Sequence, residues 1–230
     1  MAVAPVGAGA ELRADYLATP RPLTGLGDVT ALAFSPDGRR LAAATDDERV
    51  VLYDLAARRV TAGVEAGERN DCVAFSPDGT LLASTCSFQA GAHVRLDRVT
   101  PDGGLEPVTE IEALDGDEIP AVVFTPDGRH LVIWTGRHDV LLMADTRGAV
   151  VWQRSVNATR IPPALSSRPC LTPDGETIAL GLDGLLVLLA TRDGRTLAVL
   201  PVDGGARSVA AGPGPLLVGT SSGLRTVTLS

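Results

Sequence analysis

The chain has 230 residues, a formal net charge of −8 and a pI near 4.8. A nucleic-acid-binding surface normally carries a basic patch, so this charge balance argues against nucleic-acid partners. All 20 basic residues are arginine, which is typical of a GC-rich genome and excludes Schiff-base lysine chemistry and the lysine of a phosphate loop.

The first ten residues, 1–10, are apolar, and no basic residue precedes Arg13. A secretory signal needs a positively charged leading segment, and no apolar run approaches the roughly 20 residues of a membrane helix. We therefore expect a cytoplasmic protein that does not bind membranes. Its three cysteines, Cys72, Cys86 and Cys170, form no Cys-x-x-Cys pair and are expected to stay reduced.

A turn phrase recurs along the chain. Phe-Ser-Pro-Asp-Gly occupies residues 34–38 and 75–79, Phe-Thr-Pro-Asp-Gly residues 124–128, and Leu-Thr-Pro-Asp-Gly residues 171–175, with a decayed fifth copy around Pro213. The prolines of successive copies are 41, 49, 47 and 40 residues apart. Periods in the forties with one hairpin turn in each period indicate a blade repeat.

The first unit predicts four short strands joined by tight turns. In the turn at residues 35–38, Pro presets φ at the second position and Gly takes the left-handed conformation that leads back into the sheet. Asp46-Asp47-Glu48 forms an acidic turn between the second and third strands. The strands are predicted at residues 29–34, 41–45, 50–54 and 60–64. Four such antiparallel strands make one propeller blade.

The later units follow the same plan, except that the fifth lacks a fourth strand. We predict that residues 16–23 supply it, since Pro20 and Pro22 cannot donate ladder hydrogen bonds and belong on an edge. The fold is therefore predicted as an all-β propeller of about five four-stranded antiparallel blades, with the ring closed by an N-terminal strand. It would form a single domain over residues 11–230 that is monomeric, preceded by a disordered tail at residues 1–10. A hidden sixth unit and an open ring completed by dimerisation are the alternatives.

These units resemble WD40 repeats of a degenerate bacterial type, over about residues 11–230. The resemblance rests on Phe-Ser-Pro-Asp-Gly-x-x-Leu, on the return strand of small residues, and on Val51-Leu52-Tyr53-Asp54 where the family has its Trp-Asp pair. Propellers of the TolB type share the Pro-Asp-Gly turn. No Gly-His pair opens a blade, so the family's buried Asp-His-Ser-Trp network is incomplete and aliphatic packing must replace it. Trp134 and Trp152 are expected to pack between blades.

The resemblance implies a non-catalytic, cofactor-free scaffold that binds protein partners. In the WD40 arrangement, the loops between blades and the loops joining the second and third strands share one face. Blades one to three would place an acidic arc there, and the loops preceding blades four and five a basic arc, an arrangement that selects a complementary surface. Ordinary solvated loops are the alternative. The predicted protein-binding residues are Asp46, Asp47, Glu48, Asp115, Asp117, Glu118, Arg154, Arg160 and Arg168, beside Asp28, Glu65, Glu68, Asp71 and Arg207 on the same face.

A second function stays open, in which the propeller is a small-ligand-binding or a hydrolase- or lyase-type enzyme. Its site would lie at the channel mouth, where Arg137, His138 and Asp139 form a turn that could hold an acid–base pair. The same residues are good turn formers, so no catalytic residue is assigned. The three histidines are too scattered for zinc, and Asp115 to Glu118 is too short for a calcium loop, so no metal is predicted. The connection from Ser155 to Arg168 is either a docking segment, a lid or a plain insertion.

Overall fold

The structure is a computed structural model that describes residues 28–67, 70–88, 91–112, 118–136, 139–156, 168–182 and 184–229. Within these ranges all regular secondary structure is β, arranged as five separate antiparallel sheets. None of the described residues belongs to a helix long and apolar enough to cross a bilayer.

Each sheet runs in chain order from one edge to the other, so each corresponds to one repeat. Blade one contains β1 (Val29–Phe34), β2 (Arg40–Thr45), β3 (Arg49–Asp54) and β4 (Arg59–Glu65). Blade two contains β5 (Val73–Phe75), β6 (Leu81–Phe88), β7 (Gly91–Val99) and β8 (Leu105–Glu112). Blade three contains β9 (Ala121–Phe124), β10 (His130–Thr135), β11 (Val140–Asp145) and β12 (Val150–Ser155).

The last two sheets differ in their number of strands. Blade four contains β13 (Cys170–Leu171), β14 (Thr177–Leu182), β15 (Leu185–Ala190) and β16 (Thr196–Pro201). Blade five contains β17 (Ser208–Ala210), β18 (Leu216–Thr220) and β19 (Gly223–Val227), so three described strands form it. The first strands of neighbouring blades contact one another, β1 with β5 and β5 with β9, which makes these strands the inner edges.

A hydroxyl and a carboxylate hold the repeated turn. In blade two, Ser76 Oγ donates to Asp78 Oδ1 (2.6 Å) and accepts from the Leu81 N–H (2.9 Å). The Asp78 carboxylate also accepts from the Thr80 N–H (3.0 Å), and Gly79 closes the turn at φ 73°. The same contacts recur in blades one, three and four, which explains why the Ser/Thr-Pro-Asp-Gly phrase repeats.

Aliphatic side chains fill the junctions between blades. Four clusters of buried residues join blade one to two, two to three, three to four and four to five. Trp134 and Trp152 both lie in the third of these clusters, as expected, and Trp152 Nε1 donates to the Thr191 carbonyl of blade four (2.9 Å). Burial of this apolar area is the main stabilising term at each junction.

The predicted all-β architecture of five propeller blades is confirmed, including the short fifth sheet. None of the three cysteines forms a disulfide within the described residues. The closing strand predicted at residues 16–23 and the tail predicted at residues 1–10 lie outside the described residues. Ring closure therefore stays a prediction.

Candidate functional site

The two loop types that the sequence assigns to one face do meet at one end of each blade. In blade one, the Asp46 N–H of the β2–β3 loop donates to the carbonyl of Asp28, just before β1 (2.9 Å). In blade three, the Gly136 N–H of the β10–β11 loop donates to the carbonyl of Glu118, which precedes β9 (2.8 Å). We call this end of the blades the upper face, and the end with the Pro-Asp-Gly turns the lower face.

The acidic turn of blade one is exposed and held by its own backbone. The Thr45 hydroxyl shares its one proton between the carboxylate of Asp47 and the Arg49 carbonyl (3.0 Å from Oγ1), so Asp47 is used within the turn. Glu48 adopts a left-handed φ of 64°, and its carbonyl accepts from the Ala66 N–H (2.8 Å). The carboxylates of Asp46 and Glu48 form no ion pair with any residue in the described ranges.

One arginine of the predicted basic arc reaches the acidic arc. Arg168, which precedes blade four, donates from Nη2 to the Asp71 carbonyl of blade two (3.3 Å). These residues are 97 positions apart, and their contact brings the segment before blade four next to the segment before blade two at the upper face. Arg168 is exposed, and a guanidinium has five N–H donors, so one backbone contact does not use up its capacity to bind a partner.

A buried polar residue that sequence reasoning missed lies beside this contact. Asn70 is 3% exposed, and its side-chain Nδ2 donates to the Gly67 carbonyl (2.9 Å). The backbone carbonyl of Asn70 accepts from Thr30 Oγ1 (2.6 Å). Its own Oδ1 is buried and accepts no hydrogen bond from the described residues. Blade three has Ile119 at this repeat position, so an alignment of the repeats would have marked Asn70 as unusual.

The cysteine that follows Asp71 is not a reactive group. Cys72 is buried in the junction between blades two and three, with its Sγ 3.8 Å from the Val122 carbonyl. Burial raises the pKa of the Cys72 thiol, although the nearby Arg168 charge acts in the opposite direction. The thiol is therefore protonated at neutral pH and is a poor nucleophile.

The other predicted residues are dispersed. Arg154 lies on the exposed outer strand β12. Its Cγ lies next to Gly194, only 2.7 Å from where a Cβ on that glycine would be. Arg154 therefore belongs to the outer rim of the blades. Asp139 is buried at φ 49°, and its carbonyl accepts from the Val156 N–H (2.9 Å), which is a structural role in the turn. Glu118 is half-buried in the loop before β9. Most of the connection from Ser155 to Arg168, at residues 157–167, lies outside the described ranges. The other predicted residues outside them are Glu68, Asp115, Asp117, Arg137, His138 and Arg160.

A cleft lies on the lower face, and the sequence did not predict it. It has a volume of about 520 Å³ and lies between blades three and four. His130, Glu176 and Arg195 line it beside the apolar Met143 and Leu197. Its walls come from two repeats, so no single motif could have indicated it. In the described part of the chain, no three His, Cys, Asp or Glu side chains are arranged to hold a metal ion.

Comparison with known proteins identifies the repeats. The model of the "WD domain, G-beta repeat" family matches residues 21–54 and 71–94. An uncharacterized WD repeat-containing protein of Synechocystis sp. is 32% identical over 167 residues, which is 69% of this chain, and the chain spans 42% of that relative's length. Hydrazine synthase of Kuenenia stuttgartiensis is similar in structure over 92% of this chain and 69% of that chain, with a TM-score of 0.68 and 16% identity, a likeness of fold alone. The repeated turns, the five sheets and these matches together place the chain in the WD40-repeat family.

Proposed function

We propose that the chain is a non-catalytic interaction scaffold whose upper face docks a partner protein through the acidic turn of blade one. The observation that carries this proposal is the pair of exposed carboxylates on Asp46 and Glu48, which have no ion-pair partner among the described residues. Unpaired like charges on one turn repel each other, and a basic partner segment relieves that repulsion. The partner expected here therefore presents arginine or lysine.

The turn is preorganised for this role. The Thr45 hydroxyl holds Asp47, the Asp46 N–H is bound to Asp28, and the Glu48 carbonyl is bound to Ala66. Fixing the backbone before association reduces the entropy lost when a partner binds. The carboxylates of Asp46 and Glu48 are then the mobile, accessible parts of an otherwise rigid surface.

Arg168 adds a charge of the opposite sign to the same face. Its contact with the Asp71 carbonyl positions the guanidinium beside the loop that precedes blade two. A partner that matches both the acidic turn and Arg168 must carry basic and acidic groups at the corresponding spacing. Two opposite charges therefore restrict the range of partners more than either charge alone.

The test is affinity capture from a lysate of the native host with a charge-reversed variant, Asp46→Arg with Glu48→Arg. Asp47 is left unchanged because it holds the turn. A matched control, Glu106→Arg with Glu176→Arg, changes the net charge equally at exposed residues away from the upper face. The wild type and the control are expected to retain the same partner, and the upper-face variant to lose it.

Binding of the purified protein to its purified partner then distinguishes direct docking from indirect capture through a third protein. The upper-face variant is expected to associate roughly 10-fold more slowly than the wild type at low salt, and the difference should shrink as salt screens the charges. Equal association rates for the wild type, the control and the upper-face variant would show that the acidic turn is not the docking site.

A further inference from the structure

The lower-face cleft lies between two contacts that hold blades three and four together. On its inner side the repeated turns stack, and Pro126 Cδ lies 3.2 Å from where a Cβ on Gly175 would be. On its outer side the Gly194 turn packs on the Trp152 ring, whose Nε1 donates to the Thr191 carbonyl. A cleft held at both edges is largely preformed, and its volume of about 520 Å³ is within the range of ligand pockets.

The repeat shows why space opens at this junction. In the first three blades, the residue that pairs with the first residue of the second strand is charged, and it is Asp54, Arg98 or Asp145. In blade four the same register position, opposite Thr177, holds Ala190. Ala190 lines the cleft, and its short side chain leaves room that a charged side chain would occupy.

A buried hydroxyl beside this space has no partner. Thr191 lines the cleft and is 6% exposed. It lies two residues after Leu189, which packs toward blade three, so strand alternation directs the Thr191 side chain to the same junction. Thr191 Oγ1 forms no hydrogen bond within the described part of the chain. Buried polar atoms are nearly always hydrogen-bonded, so this hydroxyl indicates that a polar ligand group completes the site.

Charges of both signs line the cleft. Its carboxylates belong to Asp127, Asp174 and Glu176. The turn hydrogen bonds lower the pKa of Asp127 and of Asp174, so both are ionised at neutral pH. Its guanidiniums belong to Arg192, which pairs with Asp193 (3.5 Å), and to Arg195, which forms no ion pair with any described residue.

We propose that the cleft binds a zwitterionic ligand of the size of a dipeptide. The ligand's carboxylate pairs with Arg195, because a planar guanidinium suits a carboxylate, and its ammonium lies against Asp127 and Asp174. Its apolar side chains contact Met143 and Leu197. The aspartates repel a ligand that is only anionic and the arginines one that is only cationic, so the cleft favours a ligand with both charges. This site is on the opposite face from the acidic turn and does not depend on partner docking there.

The test is isothermal titration calorimetry of the full chain with leucyl-leucine. N-acetyl-leucyl-leucine and leucyl-leucine amide each lack one charged end and are expected to bind about 10-fold more weakly, since a charge-assisted hydrogen bond is lost. Arg195→Gln should weaken the binding of leucyl-leucine by about the same factor. Arg147→Gln is the matched control and should leave binding unchanged, because Arg147 is exposed in the corresponding turn of blade three and does not line the cleft.

Thr191→Val tests the unpartnered hydroxyl. Valine keeps the shape of threonine without the unpaired oxygen, so the free chain should keep its stability in urea while its affinity for leucyl-leucine falls several-fold. Absence of binding at about 1 mM leucyl-leucine, capped peptides that bind as tightly as leucyl-leucine, or equal affinities of Arg195→Gln and Arg147→Gln would overturn the proposal. Leucine that binds more tightly than leucyl-leucine would overturn the dipeptide assignment in favour of a free amino acid.

Discussion

In the repeated turns, Asp37, Asp78, Asp127 and Asp174 each accept a hydrogen bond of 2.5–2.6 Å from the hydroxyl two residues earlier. The hydroxyl bond has the largest effect and the backbone N–H bond the second largest, and both lower the pKa of each carboxyl below the ordinary 3.8. A lowered pKa in the folded state means that the ionised form stabilises the fold. This contribution is complete well above pH 3.8 and is lost as the pH falls through the folded-state values. Urea unfolding from neutral pH to about pH 3 should show the decline.

The Ser76 hydroxyl provides the test at a single turn. Ser76→Ala removes the donor to Asp78 and the acceptor of the Leu81 N–H at a position that is 1% exposed. We expect the free energy of unfolding to fall by about 1–2 kcal/mol at neutral pH, and by less in acid, where Asp78 is protonated in both proteins. Thr80→Val is the control, because the exposed Thr80 hydroxyl makes only an additional bond to Asp78 (2.9 Å). Equal losses in the two variants would contradict this role for Ser76.

Residues in the repeated phrase were predictable because their local spacing determines their contacts. The Pro-Asp-Gly sequence predicted the turn and the left-handed glycine before any tertiary contact was known. Asn70 and Arg168 were different, because their partners Thr30 and Asp71 lie in other blades, 40 and 97 residues away. Their roles depend on the arrangement of the blades, which no local pattern contains.

Within strand β7, an ion pair replaces part of the polar network that the family's repeats usually carry. Asp97 occupies the position of the family's Trp-Asp aspartate, and its side chain is 1% exposed. Arg95, two residues earlier on the same strand face, donates from Nε (2.8 Å) and Nη2 (2.9 Å) to the two carboxylate oxygens. Strand alternation places residues two apart on one face, so this pair was accessible to sequence reasoning, but the repeat pattern marked the Trp-Asp position and not the residue two before it.

Removal of one partner should show how strongly blade two depends on this pair. Arg95→Met leaves the buried Asp97 carboxylate without its bidentate donor, and we expect the free energy of unfolding to fall by roughly 3 kcal/mol or more. Arg98→Met is the matched control in the same strand, since Arg98 and Glu106 are 3.8 Å apart and both 61% exposed. That variant should change stability by less than about 1 kcal/mol. Similar losses in both variants would mean that Asp97 does not need Arg95.

Across the whole molecule, the sequence determined the number of blades but not the state of the terminal ones. A period in the forties predicts blades wherever it occurs, so five turn phrases led to five sheets. Exposure of Leu32 and Leu224 depends on what lies next to each terminal blade, and the repeat is the same whether a neighbour is present or not. The lower-face cleft and the upper-face contact of Arg168 also arise only once the blades are placed beside one another.

The blades are expected to differ in local stability, because each blade is held mainly by its junctions with its neighbours. Blade three has clusters on both faces, whereas blade five has one cluster, and Leu217 and Leu224 are exposed on its other face. We expect β18 and β19 to exchange amide hydrogens faster than β10 and β11, since opening blade five disrupts one junction and opening blade three disrupts two. Hydrogen-exchange mass spectrometry of the full chain measures this difference. If blade five is protected as strongly as blade three, the face that bears Leu217 and Leu224 must be covered, which would contradict this prediction.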